Sequence, residues 1–126
     1  MDIESKSLTT CGVTPDGREI LLGLVDTDGK SATIRLPLNQ AGTLAMTLPE
    51  LINQALRSRF NDQSLRYAYP LTSWTVEQSS DPQTIMVTLK TVDGFTVCFS
   101  VETELQSELG EALVKEHTRK TTLHAN

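Results

Sequence analysis

A tandem duplication of a β-β-β-α unit, in the α+β class, is the fold this sequence predicts. Three observations carry the prediction. Apolar residues alternate with polar ones in six short runs, Asp-Gly turns recur at matching points of the two halves, and each half closes with apolar residues at helical spacing. The expected arrangement is six mostly antiparallel strands with two helices packed on the core face. A closed or sandwich-like arrangement of the two three-stranded meanders is the alternative.

In the first half, SLTTCGVT offers a strand with Thr9, Cys11 and Val13 on one face. After the turn PDG at 15–17, EILLGLVDT places Ile20, Leu22 and Leu24 on one face of a second strand. Asp28-Gly29 then supplies the positive φ angles of a tight hairpin, and SATIRLPLN returns with Ile34, Leu36 and Leu38 alternating against Thr33, Arg35 and Pro37. The period changes next: Leu44, Leu48, Leu51, Ile52, Ala55 and Leu56 form a helical stripe. Pro49 would remove a hydrogen bond from the interior of any helix starting near Asn39. The reading is therefore a turn over 40–46 and a helix from 48 to about 59, capped by Thr47 in a T-L-P-E capping box.

A non-periodic connector, 57–70, leads to the second half. There Trp74 and Val76 share a face, as do Ile85, Val87 and Leu89, and Phe95, Val97, Phe99 and Val101. Thr103 with Gln106 makes a capping box for a helix striped by Leu105, Leu109, Ala112 and Leu113, expected to end near Arg119 with a frayed tail over 120–126.

The two halves align. A shift of 65 places Asp81 on Asp16, Ile85 on Ile20, Val87 on Leu22, Leu89 on Leu24 and Gly94 on Gly29. Beyond the turn, a second hairpin taken as two residues shorter pairs Thr96 with Thr33, Val97 with Ile34 and Phe99 with Leu36. The repeats span about 7–60 and 71–119 of a single domain, 1–126. One meander with one helix hides its apolar side poorly, whereas two copies can pool theirs around a common core.

Composition narrows the function. Sixteen acidic against eleven basic residues give a net charge of −5, which repels nucleic acid. Cys11 and Cys98 form no C-x-x-C pair, no signal peptide is recognisable in MDIESKSLTT, and no apolar run approaches a membrane span; a cytoplasmic protein with free thiols and no membrane attachment is expected. GLVDTDGKS, 23–31, fails as a phosphate loop because it joins two strands, so no helix N-terminus meets the phosphate, and Asp26 and Asp28 repel it. It fails as a calcium loop because Ser31 and Pro37 stand where Gly and Glu are needed. His117 and His124 belong to no zinc spacing and suit a helix C-terminus, so no metal and no cofactor is expected.

No G-x-S-x-G elbow is present, and no histidine lies in the body of the chain to activate a nucleophile. The favoured reading is a small non-enzymatic binding or protein-interaction module acting as a homodimer. Its expected interface is the outer sheet face, where Leu21, Val25, Met86 and Cys98 are less polar than one-sided burial requires, or an edge strand. The alternative is a site for an anionic or aromatic small molecule at the seam between repeats, with Arg66, Tyr67, Tyr69 and Trp74 at its mouth. An enzyme using scattered carboxylates or Cys98 is the least favoured of the three.

Overall fold

A computed structural model describes the backbone of residues 1–125 and the side chains of residues 1–118. The element order is β1 (Ser5–Val13), β2 (Glu19–Asp26), β3 (Ser31–Pro37), α1 (Leu38–Phe60), β4 (Leu71–Gln78), β5 (Thr84–Thr91), β6 (Thr96–Glu102) and α2 (Thr103–Ala125). Two antiparallel sheets of order β1-β2-β3 and β4-β5-β6 result, each followed by a helix, as a duplicated β-β-β-α unit requires. The chain divides into two compact units, Met1–Tyr67 and Ala68–Asn126.

The duplication is visible bond by bond. Ile20 pairs with Leu36 and Ile85 with Val101; Leu22 pairs with Ile34 and Val87 with Phe99; the whole β2–β3 ladder recurs in β5–β6 at a constant displacement of 65. At the hairpin tips, Asp26 N–H donates to the Lys30 carbonyl (2.8 Å) and Thr91 N–H to the Phe95 carbonyl (2.9 Å), with Gly29 and Gly94 at φ 85° and 83°. The second hairpin is thus the same length as the first, and the sequence alignment beyond the turn is corrected: Val97 corresponds to Ala32, Phe99 to Ile34 and Cys98 to Thr33. A slip of two residues keeps every side chain on its face, so alternation alone accepts either register; backbone pairing does not.

One residue separates the copies. Between Leu8 and Thr10 the register of β1 against β2 shifts by a bulge that has no counterpart between Trp74 and Thr75 of β4. Thr9 is therefore an insertion in the first unit, and upstream of it the displacement becomes 66. Thr27 N–H donates to the Glu4 carbonyl just as Val92 N–H donates to Pro70. The bulge moves Leu8, not Thr9, onto the face of Cys11 and Val13. Opposite it stands Gly23, where an added Cβ would collide with the Thr10 hydroxyl and lie 2.9 Å from that of Thr9. The second unit, with no bulge here, carries Thr88 at the matching place.

Both helices begin at the residue after their strand, without a loop. Leu38 N–H donates to the Arg18 carbonyl and Thr103 N–H to the Gln83 carbonyl, each at 3.0 Å and again 65 apart. These bonds satisfy one of the orphan donors of each helical first turn. Contrary to the sequence reading, α1 runs unbroken from Leu38 with Pro49 inside it. Thr47 does not cap a helix; its hydroxyl donates to the Thr43 carbonyl (2.7 Å), and Thr43 does the same to Asn39 (3.1 Å). These back-bonds occupy carbonyls of the turns preceding the proline, while the missing N–H of Pro49 leaves the Ala45 carbonyl without its helical donor.

The helix also claims residues 57–60 of the expected connector. It ends at Asn61 in the left-handed region (φ 50°, ψ 45°). The chain then folds back: Arg57 donates from Nε to the Leu65 carbonyl (2.8 Å), and Asn53 Oδ1 accepts from Tyr67 N–H (2.8 Å). In the second unit α2 continues past Arg119 to Ala125.

Candidate functional site

Alternation gives the second sheet two unlike faces. Residues paired across antiparallel strands share a side, so Trp74, Leu89 and Val97 form one row, and Val76, Val87 and Phe99 the next. Ile85 with Val101 extends the apolar face towards α2, and Leu71 with Thr91 extends it towards the β5–β6 turn. The opposite face carries Thr75, Glu77, Thr88, Lys90, Thr96 and Ser100, with Met86 and Cys98 among them.

Two grooves lie on the apolar face. The first, about 440 Å³, lies between the sheet and α2, with Ile85, Val87 and Val101 on its floor and Leu105, Leu109 and Leu113 along its wall. The three leucines come from one helical stripe at i, i+4 and i+8, and the loop-free joint at Thr103 sets where that stripe falls. The second groove, about 240 Å³, lies at the turn end, lined by Tyr69, Leu71, Leu89, Thr91, Phe95 and Phe99. Tyr69 and Phe95 are in contact there, ring centroids 5.7 Å apart and planes tilted by 33°.

The first unit repeats the pattern in aliphatic form. Cys11 pairs with Leu22 and Ile34 with Leu22 from the other side, while Ile20 stands between Val13 and Leu36. Leu24 is buried. Cys11 faces with these residues yet is exposed, as Cys98 is.

The predicted residues separate between the units. Of the interface set, Leu21 and Val25 lie on the outer face of β2 in the first unit, paired with Arg35 and Ser31, whereas Met86 and Cys98 lie on the outer face of the second sheet. Neither unit assembles all four into one patch. Of the ligand set, Arg66 and Tyr67 close the first unit, and Tyr69 and Trp74 belong to the second. Tyr69 reaches the turn-end groove, while Trp74 stands beside it in the Leu89 row. Sequence reasoning placed Phe95 and Phe99 on the inner face but missed Thr91 and the Tyr69–Phe95 contact.

The polar groups mainly hold turns. Asp16 Oδ1 accepts from the Thr14 hydroxyl (2.7 Å) and from Arg18 N–H (3.0 Å), which hold its carboxyl below the ordinary range. Asp62 is lowered in the same way by the hydroxyl and N–H of Ser64. Arg35 donates to Glu19 Oε1 at 2.9 Å on the outer face of the first sheet, which raises its already high pKa. Among the described residues no three His, Cys, Asp or Glu side chains are grouped to hold a metal ion, and no helix is long and apolar enough to cross a membrane. Compared with protein families, curated proteins and solved structures, the chain matches none.

Proposed function

We propose that this protein is a non-enzymatic interaction module that acts as a homodimer, with the apolar helix stripe and adjoining sheet face of the second unit as the associating surface. The observation that carries the reading is how much of that surface remains exposed. Trp74 retains 68% of its accessible surface, Val76 56%, Leu105 55%, Leu109 54% and Leu113 65%. Full burial of such a side chain stabilises by about 1.5–3 kcal/mol, so five residues left more than half exposed forgo roughly 4–9 kcal/mol. That is the scale of a whole domain's net stability, and a contiguous surface of this kind is what an association site offers.

This surface replaces the outer face as the preferred interface, because the outer face of the second sheet is lined mainly by threonine, serine and charged side chains. Two free thiols suit action in the reducing cytoplasm.

Sedimentation velocity over a range of micromolar concentrations tests the reading. A concentration-dependent dimer is expected. Leu109→Ala removes three carbons that are about half exposed, worth ~1 kcal/mol per copy and twice that in a symmetric dimer, so Kd should rise roughly thirtyfold. The exposed neighbour Glu108→Ala should leave Kd nearly unchanged. A strict monomer across the range, or a dimer indifferent to Leu109→Ala, refutes the proposal.

A further inference from the structure

The turn-end groove of the second unit has diverged from its counterpart in the first. Through the ladder correspondence, Tyr69 stands where the first unit has Ile3, Trp74 where it has Leu8, Phe95 where it has Lys30 and Phe99 where it has Ile34. All four changes introduce an aromatic ring, and three of those rings line a groove of about 240 Å³. A face serving only as generic apolar cover has no need of such a concentration, since aliphatic side chains fill the same role in the first copy.

The fifth change is polar. Asp26 in the first unit closes its hairpin tip, its Oδ1 accepting from Asp28 N–H (3.0 Å) and Lys30 N–H (2.7 Å). Thr91 stands in its place, and the second tip is held by backbone bonds and by the Thr96 hydroxyl donating to the Gly94 carbonyl (3.3 Å), with no carboxylate closing it. Thr91 is only 8% exposed, lines the groove, and its Oγ1 has no hydrogen-bond partner among the described residues. A buried hydroxyl left unmatched is unfavourable. One staggered step of χ1 exchanges the hydroxyl with the methyl of the same side chain, which is how it can meet a polar atom entering the groove.

We infer that this groove is a binding site for a small planar aromatic molecule bearing one ring N–H or O–H, the indole or phenol class. Its ring packs against Tyr69, Phe95 and Phe99, and Thr91 Oγ1 accepts its polar hydrogen. The volume lies just under the range of about 300–1,000 Å³ typical of drug-sized ligands, so one or two fused rings is the fitting size. The groove shares Leu89 and Phe99 with the one beside α2, but Thr91 lines only this groove and Leu109 only the other, so the Thr91 and Leu109 variants report the two proposals separately.

The test is an NMR titration of the full chain, following backbone amides with indole and with its hydrocarbon analogue indene. Indole should shift Leu71, Thr91, Phe95 and Phe99 saturably, with Kd on the order of 10⁻⁴ M for so small a ligand. Thr91→Val keeps the side-chain shape and removes the hydroxyl; it should weaken indole roughly three- to tenfold while leaving indene unchanged. Thr91→Ser, which retains the hydroxyl, should bind indole nearly as well as the unaltered chain and serves where Thr91→Val does not fold. Absence of saturation up to the solubility limit of indole overturns the inference. So does a Thr91→Val chain that binds indole undiminished or loses indole and indene equally, or a folded Thr91→Ser chain that loses indole.

Discussion

Replacing Gly23 by alanine should destabilise the first unit, and deleting Thr9 should reverse the damage. The added Cβ would point at the two threonine hydroxyls of the β1 bulge, one of them 2.9 Å away and the other nearer. Threonine carries two γ atoms, so each must turn its single Cβ hydrogen towards β2 to make room, against a stiff χ1 preference. Overpacking of this kind costs about 1–3 kcal/mol, and the usual gain of alanine over glycine in the unfolded chain offsets roughly 0.5 kcal/mol of it. The expected net loss is about 1–2 kcal/mol, which lowers Tm by roughly 5–15 °C in a unit of this size. Removing Thr9 eliminates this bulge and gives β1 the uninterrupted pairing that β4 has at Trp74–Thr75, where Thr88 is accommodated at the position matching Gly23. In thermal unfolding followed by circular dichroism, the double variant should therefore be more stable than Gly23→Ala alone. Equal stabilities would refute both the steric account and the reading of Thr9 as an insertion.

Two further outcomes concern stability. The carboxyls of Asp16 and Asp62 are held below their ordinary value of 3.8 by hydroxyl and N–H donors, so their contribution is present above that value and is lost as pH falls through the lower folded values. Acid unfolding of an Asp16→Asn, Asp62→Asn chain should show a shallower loss below pH 3.8 than the unaltered chain. Pro49→Ala restores the N–H donor that the Ala45 carbonyl lacks and should raise stability by about 1–3 kcal/mol in urea unfolding; unchanged or lowered stability would mean the proline is not strained within α1.

Much of the fold was legible because the relevant signals are local. Asp-Gly marked both hairpin tips, and the alternation of Ile20, Leu22 and Leu24, or of Ile85, Val87 and Leu89, marked the central strands. What escaped was whatever local pattern leaves undetermined. A two-residue slip preserves side-chain parity, so the β6 alignment went astray although the face assignments of β6 survived. Thr9 read as an ordinary strand residue because a bulge is a relation between strands and is not written in one of them. Pro49 argued for a later helix start, but the Thr43 and Thr47 hydroxyls bond within α1 and the helix grows directly from β3. At the site, Phe95 and Phe99 were recognisable as inward-facing. Thr91 was not, because its burial and its unmatched hydroxyl are products of the folded sheet that no sequence pattern records.

The joints at Pro37–Leu38 and Glu102–Thr103 carry an implication for how such a protein can change. With no slack between strand and helix, inserting a single residue there would rotate the helix by about 100° and swing its leucines away from the sheet they now flank. The Asp28-Gly29 and Asp93-Gly94 tips impose no such coupling. Descendants of this architecture can lengthen freely at the tips while the seams behind them stay fixed in length.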